Sequence, residues 1–479
     1  MGVMLAVYRA RGNAVRVGEE FTCRDECLLE ILSSGSERPT KVRYGVLGFS
    51  VTMAVILYLD RMAISVALPA IAQDLHLEIS QVADSVAVFF WCYALCQIPA
   101  GWLGDRWGGR RALTTYVVAW SLAMAGLGLA QGLVSLVAMR ALLGIGQAGA
   151  YATTASFLRR WMPFERRGFA NSAVSLGGRA GGVLAPALTS ILMRSFGLWG
   201  MEAGRWRPVF IGYGCLGLVW AFLFWRWFRD RPQLHSGVNR AEIELIDGPA
   251  AEHNDAGETA VGLPARALVA SRELQLLGLI NFSVNVGWIF VGTLLPTYLI
   301  QVHSKSEVEA GFAASLAAGA GMAGCLAGGL ATDFLVRRFG LTWGRRVPGL
   351  ISYGGAAASY AICFGLEDVN AIVVWLIISS FLGDFALGAL WSTYQDIGGA
   401  YAGTVLGAAN MCGNIGAACA ASLIVRLAAQ FGWSSSFLLS AVAYFIAAVA
   451  WLFVDPHRRI GSPARVDDRR DASGADPDD

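Results

Sequence analysis

Gly101-Trp102-Leu103-Gly104-Asp105-Arg106-Trp107-Gly108-Gly109-Arg110-Arg111 is the stretch on which the fold turns. An apolar run precedes it and another follows, so it reads as a tight, basic turn between two helices. Glycine lets the helices approach closely, Asp105 is placed to cap a neighbouring helix or to pair with arginine, and the arginines suit a headgroup layer. A weaker copy, Gly328-Gly329-Leu330-Ala331-Thr332-Asp333-Phe334-Leu335-Val336-Arg337-Arg338, occurs later in the chain. Gly101, Arg110 and Arg111 map onto Gly328, Arg337 and Arg338 at an offset of 227 residues. The same offset relates Pro69 to Pro296, Trp206 to Trp433 and Phe210 to Phe437. The chain therefore reads as two copies of one unit.

Composition says what kind of unit. Of 479 residues, 55% are hydrophobic and 15% charged, against roughly 25% charge in soluble domains. Twelve apolar windows recur, near 45–68, 86–104, 112–130, 134–158, 168–192, 208–228, 274–300, 310–331, 347–365, 370–393, 401–426 and 434–454. Most are long enough for a hydrocarbon core of about 30 Å. The expected fold is an all-α membrane protein of twelve transmembrane helices in two pseudo-symmetric six-helix bundles, 44–228 and 273–455. A polar tail (1–43), a linker (229–272) and a disordered tail (456–479) complete it. With the N-terminus inside, 29 of the 37 Lys and Arg fall in cytoplasmic segments, which predicts that both termini are cytoplasmic. A net charge of +2 argues against a nucleic-acid partner. The nine cysteines form no disulfide framework: seven lie in apolar runs, and Cys23 and Cys27 are an isolated pair.

The signature string, its repeat, and Arg140-Ala141-Leu142-Leu143-Gly144-Ile145-Gly146 resemble the major facilitator superfamily over about residues 43–456. The residues that match the family's signature loop are Gly101, Gly104, Asp105, Arg106, Gly108, Arg110 and Arg111, and in that family the charges of this loop are thought to latch the outward-open state. The resemblance implies a secondary transporter with a central site between parallel halves, and no enzymatic chemistry.

Ionisable groups inside spans are costly and mark function by default. Here they are Asp60, Arg61, Arg140, Arg179 and Asp384. Asp60 and Arg61 are neighbours and point about 100° apart on a helix. One is expected to face the central space and the other a neighbouring helix, with Arg140 a partner for Asp60. Tyr58-Leu59-Asp60-Arg61 resembles the anion:cation symporter subgroup, which carries hexuronates, galactonate, glucarate, tartrate, phthalate and vesicular anions. Tyr93, Trp391, Asn410 and Asn414 fit the same subgroup. The resemblance implies that Arg61 binds a carboxylate and that the adjacent Asp60 titrates. Tyr58, Tyr93, Asn410 and Asn414 supply polar contacts, and Trp391 supplies a stacking surface. A fork-shaped guanidinium suits a carboxylate in any case. The sequence departs from the subgroup at Gln147, where bacterial members have Glu. Glutamine carries no proton, which leaves Asp60, and secondarily Asp384, for coupling. Arg179 stands open between a second substrate cation and a structural pair.

The sequence-based expectation is uptake of a small organic anion, a sugar acid or other carboxylate, by proton symport and alternating access. The setting is a bacterial inner membrane, the protein is expected to be monomeric, and a proton is the coupling ion, without cofactor or metal. The runner-up is an exporter or antiporter of another small molecule, disfavoured by three intramembrane Arg against two Asp. A non-transporting sensor on a transporter scaffold is the reading from another class. Gly144-Ile145-Gly146-Gln147-Ala148-Gly149 fits the dinucleotide pattern, but no strand precedes it, so it reads as helix packing.

Overall fold

The computed structural model describes residues 38–198, 204–247 and 270–460. Six helices build the first half: α1 Val42–Asp74, α2 Ile79–Trp107, α3 Gly109–Gly128, α4 Leu133–Gln147 continued by Ala150–Trp161, α5 Arg167–Leu198 and α6 Trp206–Trp227. In the second half, α7 is Arg272–Ile289, a π turn at Phe290–Leu294, and Leu295–His303. The continuous stretch Glu307–Phe364 is broken at Gly340 (φ 76°) into α8 (307–339) and α9 (341–364). Then follow α10, Val369–Phe385 with Leu387–Gly398, α11 Ala402–Phe431 and α12 Ser434–Leu452. All twelve expected spans are present among the described residues. The helices overrun their apolar windows, α1 reaching Asp74. Hydropathy marks the hydrocarbon core, whereas the helical ladder continues into the interface.

Within each half the same partners pack: α1 on α5 and α3 on α6, then α7 on α11 and α9 on α12. Small residues make these contacts close. A Cβ on Gly181 would lie 2.4 Å from the Val55 carbonyl oxygen, and one on Gly416 2.5 Å from that of Phe282. Gly144 and Gly146 likewise press on Phe89 and Trp120, so the dinucleotide-like string is a packing face.

The halves meet through α2 against α11 and α5 against α8. The signature loop explains how. Asp105 accepts from the backbone N–H groups of Gly403 (3.0 Å) and Thr404 (2.8 Å) and from the Thr404 hydroxyl (2.8 Å). These are the unsatisfied donors at the N-terminus of α11. In the weaker copy, Asp333 accepts from Gly168 and Phe169 N–H, both at 2.9 Å, at the N-terminus of α5. Each half thus caps the fifth helix of the other. Gly108 (φ 82°) turns the chain between α2 and α3. Arg110 donates to the Trp225 carbonyl (2.9 and 2.7 Å) and its N–H to Asp230. Arg106 lies over Trp102, and Arg111 is exposed. Asp396 lies 2.9 Å from Arg345 and, across the halves, 3.6 Å from Arg167. The Asp105 and Asp333 caps and the Asp396–Arg167 pair join the halves at the end that carries the basic loops, whereas the Arg110, Arg106 and Asp396–Arg345 contacts lie within one half.

Two boundary expectations are corrected. The tail assigned to 1–43 is docked where it is described. Glu242, on the short linker helix Arg240–Asp247, accepts from Arg43 Nη1 (2.8 Å), from the N–H of Val42 and Arg43, and from the Thr40 hydroxyl. It caps α1, which has no acidic residue in its first turn. The C-terminal tail expected to be disordered from 456 is held to 460: Pro456 is buried, and Ile460 N–H donates to the Ile397 carbonyl (3.0 Å). The remainder of both tails, with Cys23 and Cys27, and linker residues 248–269 lie outside the described residues.

The tightest glycine contact yields a stability test. A Cβ on Gly328 would fall 1.7 Å from the Phe385 carbonyl oxygen, whereas one on Gly48 meets nothing within 4 Å. Gly328→Ala is expected to cost about 1–3 kcal/mol through overpacking, and Gly48→Ala nothing comparable. Thermal melts of the two detergent-purified variants check the contrast.

Candidate functional site

Tyr58 and Arg61 are one helical turn apart on α1 and share a face. The Arg61 guanidinium lies 5.1 Å from the Tyr58 ring, 5.2 Å from Phe89 and 4.4 Å from Tyr93, the last two on α2. Three aromatic faces offer their negative quadrupoles to one cation. Gln147 of α4 completes the cage: its Oε1 accepts from Arg61 Nε (3.4 Å) and Nη2 (3.3 Å), while its Nε2 donates to the Leu57 carbonyl (3.3 Å). That second bond fixes which end of the amide faces Arg61. Among the described residues no carboxylate lies within ion-pair distance of Arg61, which is 8% exposed. The substitution noticed in the sequence therefore has a physical result. A glutamate would neutralise Arg61, whereas Gln147 orients it and leaves its charge uncompensated.

Asp60 turns the other way, as helical geometry requires. It is fully buried, near Tyr213 of α6 and beside the Trp120 indole of α3, with which it completes no hydrogen bond. The expected Asp60–Arg140 pair is not formed. Neither carboxylate oxygen of Asp60 and no guanidinium nitrogen of Arg140 has a partner. The reason lies in α4: Arg140 and Gln147 are seven residues apart, two turns, and share the face toward α2 and Arg61. Arg140 sits 5.0 Å from the same Phe89 ring that carries Arg61. Asp60 faces α3 and α6 instead.

The aromatic side of the site crosses between the halves. Tyr58 meets Tyr151 edge-on at 6.4 Å between ring centroids, and Tyr151 meets Trp391 of α10 at 5.2 Å. Trp391 is thus brought to the Arg61 site. Asn410 and Asn414 are half-buried on one face of α11, where Asn414 Nδ2 donates to the Asn410 carbonyl (2.9 Å). The structure records no contact from either to Arg61. Arg179 and Asp384 pair across the halves, Nη2 to Oδ1 at 2.6 Å.

Tyr151, Phe89 and Asn285 were missed in the sequence. Tyr151 is four residues beyond Gln147 and so shares its face, a signal sufficient to find it. Phe89 is four before Tyr93 and stacks on it at 6.0 Å. Asn285 of α7 lies against Gly413, beside Asn414. Taken together, the centre holds a positive charge, aromatic walls and amides. Among the described residues no group of three or more His, Cys, Asp or Glu is placed to hold a metal.

The fold is similar to that of the proton:xylose symporter XylE bound to 6-bromo-6-deoxy-D-glucose: TM-score 0.68, 14% identity, 87% of this chain and 97% of that one. In sequence, the chain is 30% identical over 433 residues to the protein of Cupriavidus necator named "Probable sulfoacetate transporter SauU", covering 88% of this chain and 96% of that one. It is 28% identical over 435 residues to a protein of Escherichia coli named "D-galactonate transporter", covering 88% and 98%. Residues 51–421 match the family described as the Major Facilitator Superfamily. On that match, which takes in both halves and the whole central site, the chain belongs to the Major Facilitator Superfamily and is a transporter rather than an enzyme.

Proposed function

We propose that this transporter takes up a small organic anion by proton-coupled alternating access, in a bacterial inner membrane with both termini cytoplasmic. One observation carries the reading: Arg61 is a caged guanidinium with no carboxylate of its own. Burying such a charge is costly unless an anion arrives to pair with it. A substrate carboxylate supplies that partner with two hydrogen bonds. The relatives whose names specify sulfoacetate and D-galactonate support an acidic substrate. Tyr58, Tyr93 and Tyr151 offer hydroxyls, Asn410 and Asn414 amides, and Trp391 a flat surface for the carbon skeleton.

The basic loops suit a cytoplasmic position for the capped end, so on this reading the central site is closed toward the cytoplasm in the conformation described. Asp60 is the proposed proton carrier. It is fully buried with no cation beside it among the described residues and only the Trp120 indole N–H nearby, and an ionised carboxylate in such a place is strongly disfavoured. The neutral acid is the form this packing accommodates. A proton on Asp60 and an anion on Arg61 are then both present as α1 moves with its bundle, and inward opening releases them.

Two outcomes follow. Arg61→Lys replaces a fork with a point charge. It is expected to weaken binding of the transported acid by about 10- to 100-fold, equivalent to about 1.5–3 kcal/mol. Equilibrium binding to purified protein measures this, and unchanged affinity rejects the clamp. Asp60→Asn is expected to abolish accumulation driven by a pH gradient in proteoliposomes while retaining substrate exchange. Full accumulation by that variant removes Asp60 from coupling.

A further inference from the structure

Arg140 and Arg179 are central cations that this scheme leaves unused, and Arg179 has an acidic partner. Arg179 on α5 and Asp384 on α10 belong to opposite halves and meet at 2.6 Å near the middle of both helices. The Arg179 side chain keeps 24% of its surface exposed, whereas Asp384 keeps 5%. Arg179 is thus the reachable member. The pair is also incomplete. Asp384 Oδ2 and Arg179 Nε are buried without partners, and the bond between the residues is single. A guanidinium shaped for two-point contact is being used at one point.

Its position matters. Arg61 lies 5.1 Å from the Tyr58 ring, and Gly178, the residue before Arg179, packs against the Tyr151 hydroxyl and the same Tyr58 ring. The two guanidiniums therefore flank one pair of tyrosines, with Trp391 against Tyr151. Asp384 is faced by Arg179 from α5, Cys325 from α8, Tyr353 from α9 and Tyr444 from α12, with Ser380 on its own helix. Arg179 is the one cation in that set.

We propose that the carboxylate of Asp384 occupies Arg179 in place of the second acidic group of a dianionic substrate, so that Arg61 and Arg179 clamp the two ends of one doubly charged acid. The inference rests on the central site being an organic-anion site. The charge balance is explicit. When the second anionic group pairs with Arg179, the Arg179–Asp384 ion pair is lost. Asp384 then takes up one proton from the aqueous phase on the open side. Two guanidiniums face two substrate charges, and the displaced acid is neutral. Release on the other side reverses the exchange: the proton leaves Asp384, which pairs with Arg179 again. A singly charged acid leaves the pair intact and recruits no proton there.

Matched acids test this on the purified full-length chain: D-glucarate against D-gluconate, and sulfoacetate against acetate. Titration calorimetry in buffers of different ionisation enthalpy reads affinity and protons bound. The wild type is expected to take up about one more proton with the dianion of a pair than with the monoanion. Arg179→Gln is expected to reduce dianion affinity about tenfold more than monoanion affinity. Asp384→Asn, which leaves Arg179 in place and decides the matter if Arg179→Gln does not fold, is expected to lose the extra proton and to bind the dianion more tightly above neutral pH. Equal proton uptake within both pairs overturns the proposal, as does an Asp384→Asn variant that retains the extra proton. An equal loss for both members of a pair in Arg179→Gln overturns it too, while leaving Arg61 as an anion clamp. Failure of the wild type to bind any acid of either pair overturns the anion-site reading and this inference with it.

Discussion

The central constraint is a guanidinium buried in the membrane without a counterion. Arg61 is held by three aromatic rings and one amide oxygen, each contributing on the order of 1–2 kcal/mol in a buried site. These contacts place the charge without cancelling it. An acid at position 147 would have made a stable internal pair, and breaking such a pair to admit substrate costs several kcal/mol. Gln147 removes that competitor while preserving the geometry through its bond to the Leu57 carbonyl. Arg140, across the same Phe89 ring, adds a second positive field to the centre.

On the proposed function access changes sides, and the closures at the basic end suit contacts that open and re-form. Asp105 and Asp333 each bind the exposed N–H groups of a helix N-terminus in the opposite half. Such helix-end interactions contribute about 0.3–2 kcal/mol apiece, and water replaces them when the halves part. The linker helix obeys a different logic. Glu242 binds Arg43 and the start of α1, both within the first half. It therefore travels with that half and does not tie the two together.

Much of this was legible in the sequence because it depends on local chemistry. Twelve helices follow from apolar windows, the repeat from one offset, the closures from the signature loop, and the grouping of Arg61 with Tyr58 and Tyr93 from their helical positions. The less legible features depend on the relative rotation of helices. Arg140 was assigned to Asp60 because both are intramembrane and opposite in sign, yet its seven-residue spacing to Gln147 already put it on the Arg61 side. Tyr151, four residues beyond Gln147, carries a positional signal that composition and motif do not. The Arg179–Asp384 pair was open in the sequence between a functional and a structural role. The structure establishes the pairing, and the incompleteness of that pairing gives it interest. The docking of Thr40 and Arg43 on Glu242 joins residues about two hundred positions apart, and no local pattern encodes it.

The adjacency of Asp60 and Arg61 has a mechanistic consequence on the proposed function. Residues about 100° apart on one helix cannot both touch a bound anion, so proton and substrate do not compete for the same atoms. Asp60 lies among Trp120 and Tyr213, away from the cage. Coupling then depends on α1 as a rigid body: the helix moves between states with both its charges compensated, one by a proton and the other by an anion. A half-loaded helix carries a net charge through the closed intermediate, whereas the fully loaded and the empty helix carry none, and the desolvation cost of that net charge blocks the leak. Adjacent opposite charges that never pair with each other are thus the arrangement by which one helix requires both ligands.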